Sequence, residues 1–199
     1  MFYIACREIL RVFYYIFIGK TKIIGKENLD ALSEGAAIVC ANHISNWDPF
    51  IVGFAVKRQI FFMAKKSLFK NPIMNKIMLG GGCIPVERDG NDISSVKQAF
   101  KVLKSGKILG IFPEGKRYRD GVVHEFKEGL PLIAHKMKVK ILPIGIKGRP
   151  NLFKRAEIEV GRPIYLEDYF DQKGNAELYH EINRIIHKEI SRLAFGKDE

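Results

Sequence analysis

The sequence predicts an α/β domain built on one β-sheet with helices packed on its faces. Short apolar runs recur near residues 36–40, 60–64, 83–86, 108–112, 140–146 and 157–160, each with the length and composition of a buried strand. Between them lie segments whose apolar residues repeat at helical spacing, and this alternation is the mark of an α/β sheet. At 199 residues and 47% hydrophobic, the chain is long enough for one substantial core and short for two.

Residues 2–18 are apolar and aromatic except for Arg7, Glu8 and Arg11. On a helix these three fall within one sector of about 100°, leaving the rest of the circumference apolar. A membrane span needs about 20 mostly uncharged residues, so an interfacial helix is expected instead, its contact with anionic lipid helped by Lys20, Lys22 and Lys26. Residues 1–22 are therefore set apart as an N-terminal interfacial segment and 23–199 as the main domain. The next strand, Ala36 to Cys40, leads into the polar loop Ala41–Pro49. Asp48 followed by Pro49 reads as an N-cap and first helical position. Further on, Asp92 opens a helix carrying Ile93, Val96, Phe100 and Leu103 on one face and ending near Gly106. Asn175 opens another through Leu178, Ile182, Ile185, Ile186 and Leu193.

His43 thus sits where a strand hands over to a helix. In one continuous helix His43 and Asp48 would be about 140° apart around the axis, whereas a folded-back loop brings them together. A neutral imidazole beside a hydroxyl can take its proton, and a carboxylate on the other ring nitrogen fixes the tautomer and stabilises the imidazolium. No serine is needed when the substrate brings the hydroxyl. From local sequence alone, Asp48 reads equally well as a helix cap.

Charge and cysteine usage narrow the partners. Lys+Arg 33 against Asp+Glu 22 gives a formal +11, which attracts phosphate-bearing partners, whether nucleic acid or an anionic bilayer. The basic residues are interleaved with apolar runs, and zinc-finger pairs, RNA-recognition signatures and basic-region heptads are missing, so no nucleic-acid partner is expected. Cys6, Cys40 and Cys83 cannot all pair, which fits a reducing compartment, and no signal peptide is evident. Cys40 ends an apolar run and reads as an inert buried thiol rather than a nucleophile. His180 and His187 lie seven residues apart on one helix, and His124 and His135 lack ligand-spaced partners, so no metal is expected. The absence of Gly-x-Ser-x-Gly, P-loop and Rossmann patterns sets aside the common hydrolase, kinase and dehydrogenase readings.

A second polar stretch, Ile111-Phe112-Pro113-Glu114-Gly115-Lys116-Arg117, follows the apolar run 108–111. With the first, it resembles the glycerolipid acyltransferase family, that of the 1-acyl-glycerol-3-phosphate acyltransferases. The family's first motif, Asn-His-x-x-x-x-Asp, is matched by Asn42, His43 and Asp48. Its third, Phe-Pro-Glu-Gly-Thr-Arg, is matched by Phe112, Pro113, Glu114, Gly115 and Arg117, with Lys116 in place of threonine. Ile84-Pro85-Val86-Glu87-Arg88 resembles the second motif and Ile141-Leu142-Pro143-Ile144-Gly145-Ile146 the fourth.

The resemblance implies a single domain with a mixed, largely parallel sheet. It implies acyl transfer from a thioester of coenzyme A or acyl-carrier protein to the sn-2 hydroxyl of lysophosphatidate, with no cofactor. His43 and Asp48 are then the catalytic pair, and Arg88, Glu114, Gly115 and Arg117 bind the acceptor, the arginines by gripping its phosphate. The expected location is peripheral or monotopic, on the cytoplasmic face of the cell membrane. Lys116 leaves the acceptor open to another lysophospholipid or glycerol-3-phosphate, and a peripheral lipid-binding module without turnover is the non-enzymatic alternative.

Overall fold

A computed structural model describes Glu8, Arg11, Val12 and residues 21–87, 92–148 and 156–196. The interfacial helix expected over 2–18 therefore lies outside the described residues apart from Glu8, Arg11 and Val12, which are helical and half-buried to exposed, with Arg11 and Glu8 ion-paired. Lys20 and Arg88 also lie outside them.

Seven strands form one sheet: β1 (Lys22–Ile24), β2 (Ala37–Ala41), β3 (Ile60–Lys65), β4 (Ile84–Val86), β5 (Ile108–Ile111), β6 (Lys140–Lys147) and β7 (Glu157–Val160), in the order β1-β7-β6-β2-β5-β3-β4. All pairings are parallel except β6 with β7, so β1 and β7 run against the other five. Six of these strands match the apolar runs within a residue or two. β1 was not foreseen, because three residues of Lys-Ile-Ile at a sheet edge leave too short a pattern to separate from a loop.

Between residues 21 and 196 the described α-helices are α1 (Asp48–Ala55), α2 (Pro72–Gly80), α3 (Ile93–Lys104), α4 (Gly129–Met137) and α5 (Ala176–Phe195). Asp92 and Asn175 cap α3 and α5 as expected, their side chains accepting the Ser95 and Leu178 amides. Asp48 does not cap α1: the helix starts from Trp47, and the Asp48 carboxylate turns back toward the loop that precedes it.

Side chains alternate along each strand, so two cores form. On one face Ile38, Cys40, Leu109 and Ile141 pack against α3, α4 and α5. On the other, Val39, Ala41, Ile108 and Leu142 pack against Ile51 and Val52 of α1. The central strand β2 is buried at all five positions, which explains its uninterrupted apolar run.

This layering positions the site. From the end of β2 the chain enters α1 on one face, and from the end of the neighbouring β5 it reaches α4 on the other. Loops leaving adjacent strands toward opposite faces open a crevice at the carboxyl edge of the sheet. His43 and Glu114 lie just past the ends of those two strands.

Candidate active site

The loop after β2 is pinned from below. Asn42 is buried at its root, donating to the Ile146 carbonyl (3.1 Å) and accepting the Ile146 amide (2.7 Å). A side-chain amide thus continues the β2–β6 ladder for one more residue, and the chain is free to turn immediately afterwards.

The turn wraps Asp48, which is fully buried. One carboxylate oxygen, Oδ2, accepts from His43 Nδ1 (2.8 Å) and from the amides of Ile44 and Ser45 (2.7 Å each). The two amides fix the carboxylate, and the carboxylate fixes the ring. With Nδ1 donating to Asp48, the imidazole presents Nε2 as its acceptor. The ring is packed as well, stacking on Phe112 at 4.3 Å between centroids, and Phe112 stacks on Phe62 at 5.7 Å. Phe62 fits because position 110 on the neighbouring strand is glycine: a Cβ there would stand 2.3 Å from the Phe62 ring.

The loop after β5 clamps the first one from the side. Glu114, also buried, accepts the His43 amide on Oε1 (2.8 Å) and the His124 amide on Oε2 (3.2 Å). Burial pushes its carboxyl pKa above the ordinary value, while the two amides and the nearby histidines pull the other way. Tyr118 donates its amide to the His43 carbonyl (2.9 Å), so His43 is held at both its N–H and its C=O. Gly115 has φ +72, and Lys127 crosses it so closely that a Cβ would lie 2.8 Å from Lys Cε. Arg117 is exposed at the rim, where its guanidinium contacts the Asn46 side-chain oxygen. Lys116 lies outside this clamp, its ammonium 4.7 Å from the centre of the Tyr118 ring.

Of the six residues expected to form the site, His43, Asp48, Glu114, Gly115 and Arg117 come together at one sheet edge, and Arg88 is outside the described residues. His43, Gly115 and Arg117 line a groove of about 1180 Å³ whose walls include Phe50, Phe62, Met74, Ile77 and Val96. A further cleft of about 720 Å³, lined by Asn28, Glu159 and Arg192 among others, does not include His43.

Asn46 and Phe112 were missed as site residues. The signal for Asn46 was its place inside the His43–Asp48 interval; the ring stack had none, because it joins three strands distant in sequence. Cys40 is buried with its thiol pKa raised by burial and by the charge of Glu114, which disfavours a thiolate. Three other histidines have structural partners: His135 meets the Tyr169 carbonyl, His187 the Val123 carbonyl and His124 the Asp120 carboxylate. Among the described residues no three His, Cys, Asp or Glu side chains gather as a metal site.

The arrangement is that of a proton acceptor at the mouth of an apolar groove with a guanidinium nearby. Comparison with known proteins agrees. Residues 20–147 match the family model described as Acyltransferase. The 1-acyl-sn-glycerol-3-phosphate acyltransferase of Streptococcus pneumoniae is 32% identical over 200 residues, covering 97% of this chain and 73% of that protein. Its namesake from Bacillus subtilis is 34% identical, covering 84% of each. The crystal structure of the 1-acyl-sn-glycerophosphate acyltransferase of Thermotoga maritima superposes with a TM-score of 0.65 at 25% identity, covering 87% of this chain and 72% of that one. The chain belongs to the acyltransferase family, and within it to the 1-acyl-sn-glycerol-3-phosphate acyltransferases.

Proposed function

We propose that the protein transfers a fatty acyl group from a thioester to the sn-2 hydroxyl of lysophosphatidate, forming phosphatidate, and that His43 is the general base. The observation that carries this reading is the 2.8 Å bond from His43 Nδ1 to a fully buried Asp48 at the mouth of the groove. His43 Nε2 takes the hydroxyl proton as the oxygen attacks the thioester carbonyl. The carbon–sulfur bond then breaks, and the imidazolium returns the proton to the departing thiolate. Transfer is direct, without an acyl-enzyme, since the pair needs no protein nucleophile. Asp48 keeps the tautomer and offsets the charge on the imidazolium.

Arg117 and Arg88 bind the acceptor phosphate, a bidentate task suited to guanidinium. Glu114 and Gly115 complete the acceptor subsite; Glu114 acts chiefly by holding the His43 backbone, and Gly115 by letting the loop turn under Lys127. The groove takes the acyl chains. The donor is a thioester of coenzyme A or of acyl-carrier protein, and the chemistry uses no cofactor. Residues 1–22 form an interfacial segment and 23–199 the catalytic domain, which works peripherally on the cytoplasmic face of the membrane. No helix among the described residues is long and apolar enough to cross a membrane.

Purified protein assayed with labelled acyl thioesters against lysophosphatidate, other lysophospholipids and glycerol-3-phosphate tests the reading. Lysophosphatidate should be acylated fastest, and His43→Ala should cut that rate by about 10² to 10⁴. Undiminished turnover in a folded His43→Ala protein would remove the mechanism, and preference for another acceptor would move the substrate assignment.

A further inference from the structure

We infer that α2, with the turn of residues 66–70 that leads into it, is a second bilayer-contact element that docks on anionic lipid on the far side of His43 from the point where the chain enters β1. This rests on the lipid acceptor proposed above.

The first observation is a helix whose apolar side chains the described residues leave exposed. None of the nine residues of α2 is buried, in contrast to α1 and α3–α5. Ile73 is 71% exposed, Leu79 55% and Ile77 53%, with Leu68 and Met74 exposed beside them. Met74, Ile77 and Met78 of the same helix also line the His43 groove. Apolar residues of α2 therefore both line the groove and, at Ile73 and Leu79, stand exposed outside it.

The second observation is charge. From Pro49 to Val86 the sequence has six basic residues and no Asp or Glu. Lys70 and Lys76 belong to the turn and helix that carry the exposed apolar residues, Lys65 ends β3 just before them, and Lys66 between these is paired with Glu87 (3.0 Å). Lysines around protruding isoleucine and leucine match a negatively charged interface with hydrocarbon beneath it. Nucleic acid would leave the apolar residues unused.

The third observation is position. Ile60 and Ala37 both pair with Ile108, so Lys65 stands level with the first loop residues after β2. The turn at 66–69 therefore leaves from the same sheet edge as His43. At the other end of the sheet, Lys22 pairs with Glu157 and Glu157 with Lys147, three residues past the level of Ala41. Because β1 runs against the central strands, the chain before it enters from that edge too. The two attachment points, at β1 and β3, are separated by five strand spacings, about 24 Å, with the His43 loop between them. Two contacts so placed hold the groove mouth against the lipid surface instead of letting the domain swing about one anchor.

Trp47 is the one tryptophan in the chain and stands 38% exposed in the His43 loop, so its emission reports on that edge directly. Full-length protein should sediment with vesicles of phosphatidylcholine containing about one-third phosphatidylglycerol, and Trp47 emission should shift to the blue. Ile73→Ser with Leu79→Ser, two positions outside the groove, should weaken partitioning about 10-fold and reduce the blue shift. Lys70→Glu with Lys76→Glu should remove the preference for phosphatidylglycerol while binding to pure phosphatidylcholine stays as it was. Both variants should keep wild-type turnover on a short-chain, water-soluble acceptor.

Wild-type partitioning by both variants overturns the proposal. So does a fall in melting temperature or a lost dimer in lipid-free buffer, since either means that the face is covered by the chain itself or by a second copy. A defect confined to carrier-protein thioesters, with vesicle binding intact, assigns the patch to an acidic carrier instead. Weakened vesicle binding in a protein that acylates no lysolipid leaves the docking surface standing and removes the proposed function.

Discussion

At His43 the chemistry depends on one buried oxygen. Asp48 Oδ2 holds the ring and two backbone amides together. Asparagine can still accept these bonds but brings no negative charge, so Asp48→Asn should fold with little loss and turn over about 10³-fold more slowly. Alanine is the poorer test, because it strips the loop of its acceptor. Near-normal rates in Asp48→Asn would show that the charge is not used.

Glu114 is open to a different measurement. Burial raises its pKa, so the folded protein holds that proton more tightly than the unfolded chain does. Its contribution to stability is full below the unfolded value of about 4.3 and is lost as pH rises through the higher folded value. Melting curves from about pH 4 to pH 7 should therefore show wild type losing ground relative to Glu114→Gln as pH rises. Gln also presents an NH₂ group to one of two backbone donors, and turnover should fall about 10-fold as His43 loses its alignment. Arg117→Ala should raise KM for the phosphate-bearing acceptor more than for the thioester. Equal changes in both constants would place that guanidinium elsewhere.

At the scale of elements, the site depends on β2 and β6 staying in register one residue beyond their ladder. Asn42→Ala would leave the amide and carbonyl of Ile146 buried without partners. At about 1–3 kcal/mol for each unsatisfied group, the loss should be about 3 kcal/mol, or about 10 °C in Tm for a domain of this size. Activity should fall as well, because His43 is the next residue. A melting point within about 2 °C of wild type would mean that water replaces the asparagine.

For the whole molecule, membrane attachment and catalysis are separable. Residues 1–18 precede β1, so deleting them leaves all seven strands intact. The shortened protein should be folded, should acylate a short water-soluble acceptor and should work poorly on lysolipid in vesicles. High salt should loosen the full chain only partly, since lysine contacts are screened and apolar burial is not, whereas detergent should release it. Aggregation of the deletion variant, or a melt far below full length, would make the segment part of the core.

Local pattern was enough wherever one residue's surroundings follow from its neighbours in sequence. The apolar run of β2 is legible because a strand buried on both faces has no polar positions, and Asp92 and Asn175 announce their helices because a cap bonds amides three residues away. The pairing of His43 with Asp48 was accessible for the same reason, lying within one loop. What only the tertiary structure decided is everything that crosses the sheet. Asp48 faced two local choices, capping α1 or bonding backward, and folding of the loop around it chose the second. The amides that Glu114 holds, the ring stack from His43 through Phe112 to Phe62, and the glycine that makes room for it join β2, β3 and β5, which parallel crossovers separate in sequence. Composition specifies which side chains are present, but only the strand order brings these to the same edge.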